Sequence, residues 1–287
     1  MPHLQPLTPA GWQAAYDRAR RPVVFAAPAY LAAAAEATGR TVERIGVFEG
    51  DTLQASVALV VRRLGPLRMA PVPPVTPFSA VLVEDSAGSP AVQALWAHVR
   101  ERYASSALHL APGVPPPAGT PAQILYTYRL DPAHAEPATW SSSARRLFRK
   151  HSAEFTFHAR PSAVPAVLDL LELRYRAAGR DLPTGRPSLT HWAETLVHAG
   201  LARVYTVEQS GTIEAGLVAL IGRDAAYYWL AGSRPGPAMT VLLGHLWPHL
   251  AEAGIDTFDF VGANTPALAE FKRRFGGRLV PYGRLVG

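Results

Sequence analysis

Residues 202–233 read ARVYTVEQSGTIEAGLVALIGRDAAYYWLAGS, and the pattern of this stretch decides how the rest of the chain is read. Three β-prone runs stand here, 202–208, 213–221 and 225–231, rich in Val, Leu, Ile and Tyr. Only Ser210-Gly211 and Gly222-Arg223-Asp224 separate them. Connections that short join antiparallel neighbours, so the three runs predict a β-meander.

Downstream, the spacing predicts a helix over 238–253, a strand over 257–261, a helix over 266–275 stopped by Gly276-Gly277, and a short strand over 278–281. Upstream, 189–199 reads as a helix. So does 163–178, where Val164, Val167, Leu168, Leu171 and Tyr175 recur at helical spacing. Phe155 and Phe157 share one face of a strand over 154–160, and Ser141-Ser142-Ser143 can cap a helix over 144–151. The order from residue 154 is therefore β-α-α-β-β-β-α-β-α-β.

The first half repeats this layout more loosely. Helices are expected at 9–20, 28–37 and 90–105, and strands at 41–48, 53–61, near Leu108 and at 124–130. Pro and Gly cluster at 71–77, 111–121 and 234–237, and the Pro-bounded segment 131–137 is the expected joint. The expected organisation is α/β (α+β) with two units, 1–137 and 138–287, a division that suits 287 residues.

Hydrophobic residues make up 48% of the chain and charged residues 17%, which excludes a disordered polyelectrolyte. No run is long and apolar enough to span a bilayer, and the start Met1-Pro2-His3-Leu4 lacks a basic segment followed by an apolar core, so a cytoplasmic protein is expected. The absence of Cys excludes thiolate nucleophiles and Cys-based metal sites. The net charge of +6 suits an anionic partner such as a nucleotide-linked substrate or RNA. Lys150 and Lys272 are the only lysines, so the excess is almost entirely arginine.

Three segments carry a family resemblance: Ala226-Tyr227-Tyr228-Trp229-Leu230-Ala231-Gly232-Ser233; Phe258-Asp259-Phe260-Val261-Gly262-Ala263-Asn264 with Phe271-Lys272-Arg273-Arg274-Phe275-Gly276-Gly277 after it; and the basic helix from Trp140 through Arg145, Arg146 and Arg149 to Lys150. With the element order, they resemble the acyl-CoA N-acyltransferase (GNAT) fold in its tandem form, the FemABX-like and BioF2-like acyltransferases. The resemblance implies two GNAT-like domains, each a mixed, splayed sheet flanked by helices. It implies an N-acyltransferase, with acyl-CoA or charged tRNA as donor and a small-molecule amine or nucleotide-linked substrate as acceptor. In such a fold two parallel strands diverge, here 225–231 and 257–261, and the helix after the meander presents N–H groups to a pyrophosphate.

Under that resemblance, Trp229, Ala231, Gly232, Ser233, Arg234, Gly236 and Ala238 are the expected cofactor-binding residues. This chain departs from the usual acetyl-CoA loop, because Arg234-Pro235-Gly236-Pro237-Ala238 is a residue shorter and its two prolines carry no N–H. Asp259, at a strand end, is a candidate proton acceptor for the amine; the competing reading has it hydrogen-bonding the turn that follows. Asn264 can hold a carbonyl, or cap the helix near Pro266. Tyr228 is a candidate general acid. Lys272, Arg145, Arg149, Lys150 and Tyr227 are the expected substrate-binding residues, with a solvated helix face as the plain alternative for 272–274.

His245, His249 and Glu252 recur at i, i+4 and i+7, a spacing that can hold zinc, but Pro248 disturbs that turn and a structural role is expected, with no metal. No Gly-x-Ser-x-Gly elbow, Walker loop or dinucleotide fingerprint occurs. Two further readings stand beside the transferase: a non-catalytic GNAT-like binding module, and an RNA-binding protein.

Overall fold

The computed structural model describes residues 2–84 and 89–287. In chain order the elements are β1 (His3–Pro6), α1 (Pro9–Arg18), α2 (Pro28–Thr38), β2 (Thr41–Glu49), β3 (Thr52–Leu64), β4 (Leu67–Ala70), β5 (Ala80–Val83), α3 (Ser89–Arg102) and β6 (Ser105–His109). They continue with β7 (Gln123–Leu130), α4 (Ser142–His151), β8 (Thr156–Ala159), α5 (Val164–Ala177), α6 (Arg186–His198), β9 (Ala202–Gln209), β10 (Thr212–Ile221), β11 (Ala225–Ser233), α7 (Ala238–Glu252), β12 (Thr257–Asp259), α8 (Pro266–Arg273) and β13 (Arg278–Val286). Two compact units result, 1–125 with 281–287, and 126–280. This partition divides the chain within β7 and returns residues 281–287 to the first unit, where the sequence led to an expected joint at 137/138.

In the N-terminal unit, β1, β2 and β3 are successively antiparallel; β3 also pairs with β5 and, further along, with β4. β4 runs parallel to β6, and β6 antiparallel to β13 through Ala107 to His109 and Arg284 to Val286. One core gathers Val47, Val57, Leu59, Leu95, Trp96, Val99 and Leu285. Strands β1, β4 and β5, each four residues long, are not among the expected strands.

The C-terminal unit realises the meander. β8, β9, β10 and β11 are antiparallel neighbours, β12 joins β11 in parallel, and β7 closes the sheet antiparallel to β12. Ser210 and Gly211 both take positive φ, 50° and 77°, the left-handed pair that matches a two-residue turn to strand twist. Helix α7 is buried along most of its length, which explains its nearly continuous apolar sequence. Gly216 and Gly232 face each other across β10 and β11. A Cβ on Gly232 would strike the backbone of Leu170 and Leu171, so glycine here lets α5 lie directly on the sheet.

Candidate functional site

The parallel pairing of β11 with β12 runs only from Ala225–Thr257 to Tyr227–Asp259, while β11 continues to Ser233, still paired with β10. β12 instead turns toward β7, where Phe260 N donates to Tyr128 O at 2.9 Å and Ala263 N to Tyr126 O at 2.7 Å. The two parallel neighbours thus diverge at Asp259. Beyond this point Val261 and Gly262 take φ of 42° and 57° in succession. A β-branched residue in the left-handed region is strained by roughly 1–3 kcal/mol and persists only where its surroundings over-determine it.

Asp259 and Lys272 do so. The Asp259 carboxylate is fully buried; it accepts from Thr127 Oγ1, from Arg129 Nε at 2.7 Å and from Val261 N at 2.9 Å. Lys272 Nζ donates to the carbonyls of Val261 and Gly262. Lys272 is 4% exposed, which overturns the solvated-face alternative for that position. Burial pushes its amine down to about 8, against the Asp259 carboxylate, which raises it, and with Arg174, which lowers it. A neutral amine keeps two N–H donors, enough for both carbonyls, so the turn is held in either protonation state.

Asn264 completes the turn. Its Oδ1 accepts Tyr126 N at 2.8 Å, while the cap of α8 is Thr265, whose hydroxyl accepts Leu268 N; the capping alternative for Asn264 therefore fails. Tyr227 is buried and in register with Asp259. Tyr228 points the other way, into the core against Phe258 and Phe260, with its hydroxyl 3.6 Å from Met239 Sδ. Burial pushes that phenol up to about 12, with Arg174 opposing, which makes it a poor proton donor near neutrality.

The expected cofactor residues divide into two sets. Trp229, Ala231 and Gly232 are packing residues: Trp229 lies edge-on to Trp192 at 5.5 Å, Ala231 belongs to the α7 core, and Gly232 makes room for α5. Trp229 is also the extra residue of a β-bulge, since Leu230 and Tyr228 pair with consecutive Val218 and Ala219. Ser233, Arg234, Gly236 and Ala238 form the turn into α7. There Arg234 N donates to Glu214 O at 2.9 Å and its guanidinium lies 3.7 Å from the Glu214 carboxylate. Gly236 takes φ 138°, and α7 begins at Ala238 without a side-chain cap.

Arg145, Arg149 and Lys150 are exposed on α4, and Arg145 Nη1 reaches Ala138 O at 3.3 Å. His245 and His249 pack against the rings of Phe148, Phe157 and Tyr205. Among the described residues no three His, Cys, Asp or Glu side chains are grouped to hold a metal, and no helix is long and apolar enough to cross a membrane. Thr127 and Arg129 were not legible as site residues. They lie on β7, some 130 positions before their partner, and only strand alternation puts them on one side.

Comparison with known proteins agrees with this architecture. Residues 138–273 match the acetyltransferase (GNAT) domain family model. FemX superposes with a TM-score of 0.71 at 11% identity, over 98% of this chain and 96% of that one. The C-terminal domain of a putative lysylphosphatidylglycerol synthetase from Agrobacterium fabrum gives 0.61 at 16% identity, over 97% and 92%. A tandem GNAT protein from the clavulanic acid biosynthesis pathway gives 0.57 at 15%, over 100% and 98%. No curated protein sequence matches. The chain has a FemABX-like GNAT acyltransferase fold, built as two tandem domains of mixed α/β structure.

Proposed function

We propose that the chain transfers an acyl or aminoacyl group to an amine, with the chemistry at the diverging ends of β11 and β12. The early end of that parallel pairing, at Tyr227–Asp259, carries the reading: β11 runs on to Ser233 without β12 beside it, toward the turn that begins α7. In the reaction the amine nitrogen attacks the donor carbonyl, the carbon–oxygen or carbon–sulfur bond to the carrier breaks, and the proton lost by the amine reaches the departing oxygen or sulfur. Lys272 is the group suited to placing a positive charge there: with two donors on the carbonyls of Val261 and Gly262, the protonated amine keeps one N–H to offer. Asp259 acts as a positioning residue, because Thr127, Arg129 and Val261 already occupy its carboxylate. Asn264 has the same role, latching the turn to β7.

The turn into α7 bears on the donor. Pro235 and Pro237 carry no N–H and Arg234 is drawn to Glu214, which leaves a poor cradle for a pyrophosphate. The exposed basic face of α4, with Arg145, Arg146, Arg149 and Lys150, suits a phosphodiester backbone. These two observations favour charged tRNA over acyl-CoA. The lysylphosphatidylglycerol synthetase neighbour bears an aminoacylated product in its name, in keeping with this choice.

Calorimetric titration with aminoacyl-tRNA, acetyl-CoA and longer acyl-CoAs, at about 50 and 200 mM salt, tests the reading. Charged tRNA is expected to bind with a steep loss of affinity at the higher salt, and Lys272→Met to slow transfer of its aminoacyl group. Binding of an acyl-CoA with little salt dependence would move the donor to the thioester. Silence from every donor would leave a binding module.

A further inference from the structure

The N-terminal unit contains a second chemical environment, separate from the transfer reaction. A cavity of about 370 Å³ lies against β1, β2 and the last turn of α3. This volume is within the roughly 300–1,000 Å³ range of small-molecule sites. Leu4, Leu7 and Ile45 line one part, and Arg44, Arg68 and Arg102 another.

The charges there do not balance. Glu43 is the one carboxylate of the lining against three guanidiniums, and it is already engaged. Arg68 Nη2 bonds it directly, Tyr103 Oη donates to it at 2.7 Å, and Arg63 approaches to 3.7 Å. Arg68 is fixed further by lying over the Tyr103 ring at 5.1 Å. Nε of Arg44 and Nε of Arg68 are both buried without a hydrogen-bond partner in the protein. Partial burial pushes the Arg44 guanidinium down from its ordinary value. Buried guanidinium donors that lack acceptors are costly unless an anion supplies them.

We propose that this cavity binds a small amphipathic anion, with a phosphate or carboxylate group against Arg44 and Arg102 and an apolar portion against Leu4, Leu7 and Ile45. The guanidinium fork suits either anion, because both present paired oxygens. The apolar wall distinguishes such a ligand from a free inorganic ion.

The test is isothermal titration of the full chain with octyl phosphate, octanoate and inorganic phosphate at about 50 mM salt. One octyl probe is expected to bind at least about tenfold more tightly than inorganic phosphate, and Arg44→Gln and Arg102→Gln each to weaken it about tenfold. Tighter octyl phosphate assigns a phosphate ligand, and tighter octanoate a carboxylate. Arg102 is exposed, so its variant keeps the fold if Arg44→Gln does not. Failure of both octyl probes to bind at concentrations on the order of 10 mM, parity with inorganic phosphate, or an unchanged affinity in Arg102→Gln would overturn the proposal.

Discussion

Asp259 in the C-terminal unit and Glu43 in the N-terminal unit both lie among cations, and the two arrangements differ in their balance. In the C-terminal unit Asp259 is fully buried, and every oxygen has a fixed donor from Thr127, Arg129 or Val261. Glu43 in the N-terminal unit is partly exposed, shares itself among Arg68, Arg63 and Tyr103, and leaves guanidinium nitrogens over. The satisfied cluster is a scaffold that holds a strained turn; the unsatisfied one has capacity for a ligand. A buried charge cluster therefore signals binding when its donors and acceptors fail to match, and architecture when they do.

The largest expected effect lies at Asp259. Asp259→Asn breaks a buried, multiply bonded ion pair and is expected to cost about 3–5 kcal/mol in denaturant unfolding, with little dependence on salt. A loss of turnover with unchanged stability would instead make Asp259 a direct participant in the chemistry. Next comes Lys272. With its amine near 8 in the folded protein and 10.5 as the ordinary value, the folded state releases its proton first as pH rises. Its contribution to stability is full above about 10.5 and lost as pH falls through about 8, a swing of up to about 3 kcal/mol. Unfolding measured across that window should show wild type gaining on Lys272→Met. Parallel pH profiles would mean that the amine is not depressed. The smallest effect is expected at Glu43: Glu43→Gln should cost about 1–2 kcal/mol, more at low salt and less when phosphate is added, because the guanidiniums it leaves remain accessible to ions. A cost as large and as salt-insensitive as that of Asp259→Asn would erase the distinction between the clusters.

Much of the C-terminal unit was legible because its signals are local. The meander, its turns, α5, α7 and the Ser141 cap of α4 follow from spacing and turn chemistry. Asp259, Asn264 and Lys272 stood out by residue type and position at a strand end and on a helix. Their roles were not legible, because those depend on partners from β7 and on the left-handed turn at Val261. No pattern announces a valine with positive φ. Tyr228, a candidate general acid by residue type, packs against Met239, and Gly232, an expected cofactor residue under the resemblance, makes room for α5. The cavity beside Glu43 was invisible, since its lining comes from four short segments of ordinary composition.

The amino-acid order by itself determined the helices, the longer strands, the meander and the absence of thiol chemistry, because periodicity, turn residues and composition act over a few neighbouring positions. Tertiary structure decided where β11 and β12 part, which charge cluster has its donors and acceptors matched and which keeps unpaired guanidinium donors, and that Lys272 is buried rather than solvated. Those outcomes rest on hydrogen-bond partners and desolvation supplied by residues distant in the chain, and a burial cost has no local signature until the fold brings its surroundings together.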